Sequence, residues 1–299
     1  MAERLHIDTD GGVDDALALM LLIRGGAHIE TVSAVFGNTH VVHAAANASM
    51  VLRQSLCPAE VLVGAAKSLA GYGPAHNARG HGIDGLNGRG GSLRRKLAPL
   101  QRAHGLNRIG LATQQKVKGV FLGPLTNLAQ AVLDDPVRLR DWRPVVMAGA
   151  FQVEGRGGGG ADFNTWCDPE ALRRVLLYGV TPRLTPLDIT GRVVIPRGRV
   201  EAGLAADTLP LMTEMAGALR PYMDFQAATW GEGLRPHDAV VAATVLWPEL
   251  FIFKPIALVV DDNARGRILE VDHAPNAWIC TQVQEAEVAR RLADLLFPV

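Results

Sequence analysis

Four carboxylates fall within eight residues near the start of the chain, in the run Asp8-Thr9-Asp10-Gly11-Gly12-Val13-Asp14-Asp15. Like charges this close repel and raise one another's pKa unless a cation neutralises them. Mg²⁺ and Ca²⁺ prefer carboxylate oxygen, so the run predicts a site for a hard divalent metal. A helix start with Asp as cap and dipole partner accounts for one or two of these acids. It leaves Asp8 and Asp10 unexplained. Far down the chain stands the adjacent pair His237-Asp238. It reads as a cap plus a surface imidazole. It reads equally as an Asp that closes a metal site beside a His that titrates near neutrality as an acid.

The elements that must hold these groups alternate. Leu5-His6-Ile7 is a short apolar run with the look of a first strand, and Ala16 to Ile23 has that of a buried helix. Further strands are expected at 31–36, 61–64, 117–122, 145–147, 183–187, 253–260 and 278–283. Helices are expected at 14–23, 41–56, 107–115, 126–133, 168–178, 209–228, 238–246 and 284–296. Such alternation predicts an α/β fold, a single-domain open and mostly parallel β-sheet with helices on both faces. Strand ends are where sites form in such folds, and the acid run follows the first strand. There is no internal repeat and no long Pro- or Ser-rich linker, which favours one domain over residues 1–299.

Other polar clusters follow strands. Phe36-Gly37-Asn38 ends the second. Gly123-Pro124-Leu125-Thr126-Asn127 follows Val120-Phe121-Leu122. Thr126 reads as a helix cap, and a backbone carbonyl exposed at that strand end can ligate a hard metal. Asp162-Phe163-Asn164 follows the glycine run 155–160, and Asp168 reads as a plain cap with Pro169 at the first helical position. Residues 71–92 hold eight glycines. This stretch and 155–160 fit either loops that close over a ligand or disordered surface loops. His81 lies in the first, where a lone histidine reads as solvated.

Composition removes several function classes. Lys plus Arg and Asp plus Glu both number 30, so no basic face for nucleic acid is implied. The amino end lacks the apolar stretch of a signal peptide, and no apolar run reaches membrane-spanning length. Cys57, Cys167 and Cys280 lie far apart, as reduced thiols do, and the expected setting is cytoplasmic.

Taken in order, these segments resemble the inosine-uridine-preferring nucleoside hydrolase family. The resemblance rests on Asp8-Thr9-Asp10, Asp14-Asp15, Gly37-Asn38, His81-Gly82 and Gly123 to Asn127. It continues with Phe163-Asn164, Asp168-Pro169-Glu170 and His237-Asp238. It implies a Rossmann-like core and hydrolysis of the N-glycosidic bond of ribonucleosides, with one bound Ca²⁺. It implies that Asp10, Asp15, Asp238 and the Leu122 carbonyl hold the metal. Asp10 would also be general base for a water at the metal. Asp14, Asn38 and Asn164 would hold ribose hydroxyls, His237 would protonate the leaving base, and Asp8 would support the cluster from behind. Trp230 is the best candidate to stack on a base, ahead of Trp166, Tyr72 and His81. The implied partner is a small nucleoside or riboside, with further copies of the chain in a dimer or tetramer, and neither nucleic acid nor membrane.

Three residues depart from that pattern. Gly11 stands where the family usually has proline. Asp162 replaces a usual glutamate, and its shorter arm reaches a sugar less well. Arg156 lies in a glycine stretch where the family carries an asparagine for the 5′-hydroxyl; it reads as a solvated loop charge or as a partner for an anionic substituent. Two other readings compete. Asp8-Thr9-Asp10-Gly11-Gly12 resembles the opening of haloacid dehalogenase-type Mg²⁺ phosphohydrolases, with Asp8 as nucleophile and Asp10 as proton donor. A non-catalytic riboside binder that keeps the metal cup is the other.

Overall fold

The fold is that of a computed structural model and is described for residues 4–73, 77–89, 117–153, 155 and 160–299. Strand β1 (Arg4–Thr9) leads into α1 (Val13–Arg24), β2 (His28–Ala34), α2 (Val41–Gln54) and β3 (Glu60–Val63). The short α3 (Ala78–His81) comes before β4 (Lys118–Phe121), α4 (Thr126–Asp134), α5 (Pro136–Leu139) and β5 (Val145–Met147). Then follow α6 (Phe163–Cys167), α7 (Pro169–Leu177), β6 (Arg183–Thr185), α8 (Leu187–Thr190) and α9 (Arg197–Ala206). The long α10 (Pro210–Trp230) precedes α11 (His237–Leu246), β7 (Phe251–Ile256), β8 (Leu258–Val260), β9 (Ile268–Glu270), β10 (Ala277–Val283) and α12 (Glu285–Leu296).

Eight strands form one sheet in the order β3-β2-β1-β4-β5-β6-β10-β7. Every pair is parallel except β10 with the edge strand β7. Strand order reverses between β1 and β4, because the chain first runs outward to β3 and then returns to the other side of β1. The crevice beyond the strand ends at such a reversal is where open α/β sheets bind ligands.

The period-2 geometry of a strand divides its side chains between two faces. Leu5 and Ile7 of β1, Val120 of β4, and Val145 and Met147 of β5 join one apolar cluster with α1, α10, α11 and α12. Phe121 of β4, Val146 of β5 and Leu184 of β6 face a second cluster, shared with α4 and α7. Helices therefore cover both faces, as expected. Helix α1 is apolar on all sides from Ala16 to Leu22, and all of those residues are buried. That pattern fits a helix packed against α2, α11 and α12 as well as near the sheet. Each such buried Leu contributes about 1.5–3 kcal/mol.

Several expected elements change shape. The strand expected at 253–260 is two strands in different sheets, β7 and β8, the latter paired antiparallel with β9. Pro255 has no N–H to offer, which an edge strand such as β7 tolerates. The strand expected at 183–187 stops at Thr185, because Pro186 is the N-cap of α8. The helix expected at 107–115 lies outside the described residues, as does Arg156. The stretches 71–92 and 155–160 are described only in part. No helix among the described residues is long and apolar enough to cross a membrane.

Candidate active site

The acid run spans the end of β1 and the start of α1. Asp15 is the residue that does the capping: its Oδ2 accepts the Gly12 N–H at 2.8 Å. Its Oδ1 accepts Thr9 Oγ1 at 2.5 Å and the Asp10 N–H at 3.2 Å. Asp10 accepts both the backbone N–H of Asn38 at 2.8 Å and its side-chain amide at 2.9 Å. That approach requires glycine at position 37, where a Cβ would stand 2.1 Å from Asp10 Oδ2. Asp8 points elsewhere. It is fully buried and accepts from Ser33 and from Asn127 Nδ2, and Ser33 also meets His6.

Packing of α11 on α1 brings Asp238 to this run from the far end of the sequence. Asp14, Asp15 and Asp238 each offer an oxygen, and the three lie within 4.8 Å of one another. Asp14, expected to meet a sugar hydroxyl, thus belongs to the compact trio. Asp10, expected among the ligands, lies beside Asp15 and is held by Asn38. Burial, and then repulsion from Asp15, push the Asp14 carboxyl up to about 7. Burial and repulsion from neighbouring acids raise Asp10 and Asp238 well above the carboxylate range. Asp14 Oδ1 has no hydrogen-bond donor among the described residues. An all-oxygen set of mutually repelling acids fits a hard divalent cation.

Asp14 and Asp238 border a pocket whose polar and backbone lining also includes Asn38, Leu122, Asp162 and Asn164. Its apolar lining includes Met147, Phe163, Leu187, Tyr222, Phe225 and Trp230. His237 lines it too, with its ring edge-on to Trp230 at 5.4 Å between centroids. Asp8 does not line the cavity, and its carboxylate accepts from Ser33 and Asn127.

Other expected residues divide clearly. His81 is buried rather than solvated: its Nδ1 accepts the Val13 N–H at 3.0 Å, and its ring packs on Tyr222. Trp166 and Tyr72 lie outside the cavity and flank the Arg265 guanidinium instead. Asn164 uses its amide on the carbonyls of Leu122 at 2.7 Å and Met147 at 3.1 Å. Asp162 lines the cavity, yet it is the N-cap of α6 and accepts from Gly149 N, Asn164 N, Thr165 N and Thr165 Oγ1. Asp168 caps α7 as expected, with Pro169 at the first position. Thr126 is not a cap. Its hydroxyl donates to Asp168 at 2.6 Å, and Leu125 holds the cap position.

Sequence reasoning passed over Tyr222, Phe225 and Gln226 of α10, and Thr190 of α8. Gln226 is fully buried and exchanges two hydrogen bonds with the main chain of Arg235, which fixes the turn before His237. A buried Gln three to four residues from aromatic positions on one helix face is the only local hint of that role.

A family model described as inosine-uridine preferring nucleoside hydrolase matches residues 5–290. The chain is 27 % identical over 263 residues to the non-specific ribonucleoside hydrolase RihC of Klebsiella pneumoniae (strain 342), covering 85 % of this chain and 83 % of that protein. It is 30 % identical over 267 residues to the probable uridine nucleosidase 1 of Oryza sativa subsp. japonica, covering 84 % and 79 %. Its fold matches the plant nucleoside hydrolase PpNRh1 with a TM-score of 0.87 at 23 % identity over all of both chains. It matches the purine-preferring ribonucleoside hydrolase from Gardnerella vaginalis with a TM-score of 0.87 at 19 % identity over 98 % of each. The chain belongs to the inosine-uridine preferring nucleoside hydrolase family, enzymes that hydrolyse the N-glycosidic bond of ribonucleosides.

Proposed function

We propose that the chain cleaves the C1′–N bond of ribonucleosides with one Ca²⁺ held by Asp10, Asp15, Asp238 and the Leu122 carbonyl, with Asp14 close against Asp15 and Asp238. The observation that carries this reading is the convergence of Asp14, Asp15 and Asp238 within 4.8 Å beside a pocket lined by polar and aromatic groups. When bound, the ion supplies charge that neutralises the acids, orients a sugar diol and acidifies a water.

The chain's own groups do the rest. Asp10, oriented by its two bonds from Asn38, takes the proton of the attacking water. Asp14 accepts from a ribose hydroxyl through the oxygen that has no donor among the described residues. Asn164 contributes as an acceptor, because its amide hydrogens are committed to Leu122 and Met147. Fixed carboxylates stabilise the positive charge that develops on the ribose ring as the bond breaks. Deoxyribosides would leave these groups unmatched and be rejected strongly. His237 meets the departing base with a proton, and Trp230 packs against it.

The test is release of free reducing sugar from inosine and uridine, with and without chelator. Sugar release that stops on chelation and returns with Ca²⁺ is the expected result. Ligand-induced thermal stabilisation without any turnover would replace this reading with that of a non-catalytic binder.

A further inference from the structure

His237 does not stand alone. Its Nδ1 lies 2.9 Å from Thr190 Oγ1, and both residues are buried. Thr190 closes α8, the single turn that follows β6, and its backbone N–H is already taken by the Pro186 carbonyl. The hydroxyl's hydrogen bond among the described residues is the one to His237. A second constraint comes from Trp230, whose ring meets the imidazole at 70°.

We infer that Thr190 is a positioning residue for departure of the base: it clamps Nδ1, so that Nε2 is the ring nitrogen that serves a ligand in the cavity. This rests on the reading of His237 as the acid. In that step the C1′–N bond breaks and its electron pair stays with the base. The base takes the Nε2 proton, while the water that bonds to C1′ gives its proton to Asp10. The Nδ1–H bond to Thr190 Oγ1 is present before and after, so the ring need not reorient. The acid form carries a proton on both ring nitrogens; once Nε2 has given its proton to the base, the ring is neutral and keeps its Nδ1–H on the Thr190 hydroxyl, which accepts it.

The experiment compares Thr190→Val, Thr190→Ser and His237→Ala on two substrates. Inosine has a leaving group that needs a proton. p-Nitrophenyl β-D-riboside has one that leaves as a stable anion. Loss of one buried hydrogen bond predicts that Thr190→Val lowers kcat on inosine roughly 10-fold. KM should stay within about 2-fold, and the loss on the nitrophenyl riboside should also stay under about 2-fold, since no proton is called for there. Thr190→Ser, which keeps the hydroxyl, should recover most of the inosine rate. Equal losses of Thr190→Val on both substrates would overturn the inference, as would a serine variant as impaired as the valine one. So would an unimpaired valine variant where His237→Ala is slow on inosine. An unimpaired His237→Ala would instead remove the acid itself, which separates failure of the underlying reading from failure of this one.

Discussion

Asp238 and Asp168 both sit buried at the start of a helix, and they meet opposite surroundings. Burial raises the pKa of each. For Asp168 that effect is countered by donors from Thr126, Leu69 and Ala171. Asp162 is likewise met by four donors. For Asp238 the neighbours are Asp14, Asp15 and Asp10, and each raises its pKa further. The caps are satisfied by donors from the fold. Asp238 is faced by other acids, a repulsion that the proposed ion would relieve. Helix caps and the proposed cage use the same side chain; what separates Asp168 from Asp238 is whether N–H and O–H groups or other carboxylates face it.

Removing a cage acid should have the largest effect. Asp238→Ala or Asp10→Ala should lower kcat on the order of 10³-fold, as loss of a key electrostatic group does. Both should weaken Ca²⁺ binding measured by calorimetry, while Asp168→Asn keeps it. Full activity in either cage variant would break the contrast. The next effect is on stability. Ca²⁺ at 100 times its dissociation constant should stabilise the folded chain by about 2.7 kcal/mol, read as a rise in Tm that chelator reverses.

The sign of substitution should also differ between the two sets. In chelator, Asp238→Asn relieves repulsion and should raise Tm, whereas Asp168→Ala strands three donors and should cost about 1–3 kcal/mol. A lower Tm for both would mean that the cage acids are also completed from within.

The smallest effect is on pH dependence. Asp8 and Asp14 are raised to about 7, so each contributes stability that is lost as pH rises through 7. Metal-free protein should therefore gain stability as pH falls from about 8 towards 4, most steeply below 7 and by up to about 1.4 kcal/mol per unit for each group. His6, lowered to about 4 by burial, opposes this only further down, between pH 6.5 and 4. Ca²⁺-loaded protein should lack the gain tied to Asp14. Denaturant midpoints at each pH, with and without Ca²⁺, measure the difference.

Much of this was legible in the sequence because it is local. The acid run, the alternation of strands and helices, and the Asp168-Pro169 cap each depend on neighbours within a turn or two. What escaped depends on distant partners. Thr126 reads as a cap until Asp168, 42 residues later, claims its hydroxyl. Thr190 is 47 residues from His237 and has no motif of its own. His81 reads as solvated because nothing nearby in sequence announces Val13 and Tyr222. Trp166 and Tyr72 read as base platforms because Arg265 is remote. Helix α9 went unseen because its apolar residues do not gather on one face.

The cage joins groups from the first turns of the chain to Asp238, far along it. During synthesis the amino-terminal acids emerge long before their last partner, so a nascent chain carries them incomplete for most of translation. With the proposed ion, capture would report that the carboxy-terminal third has docked. A chain stopped short of α11 would lack Asp238 and so the full proposed cage.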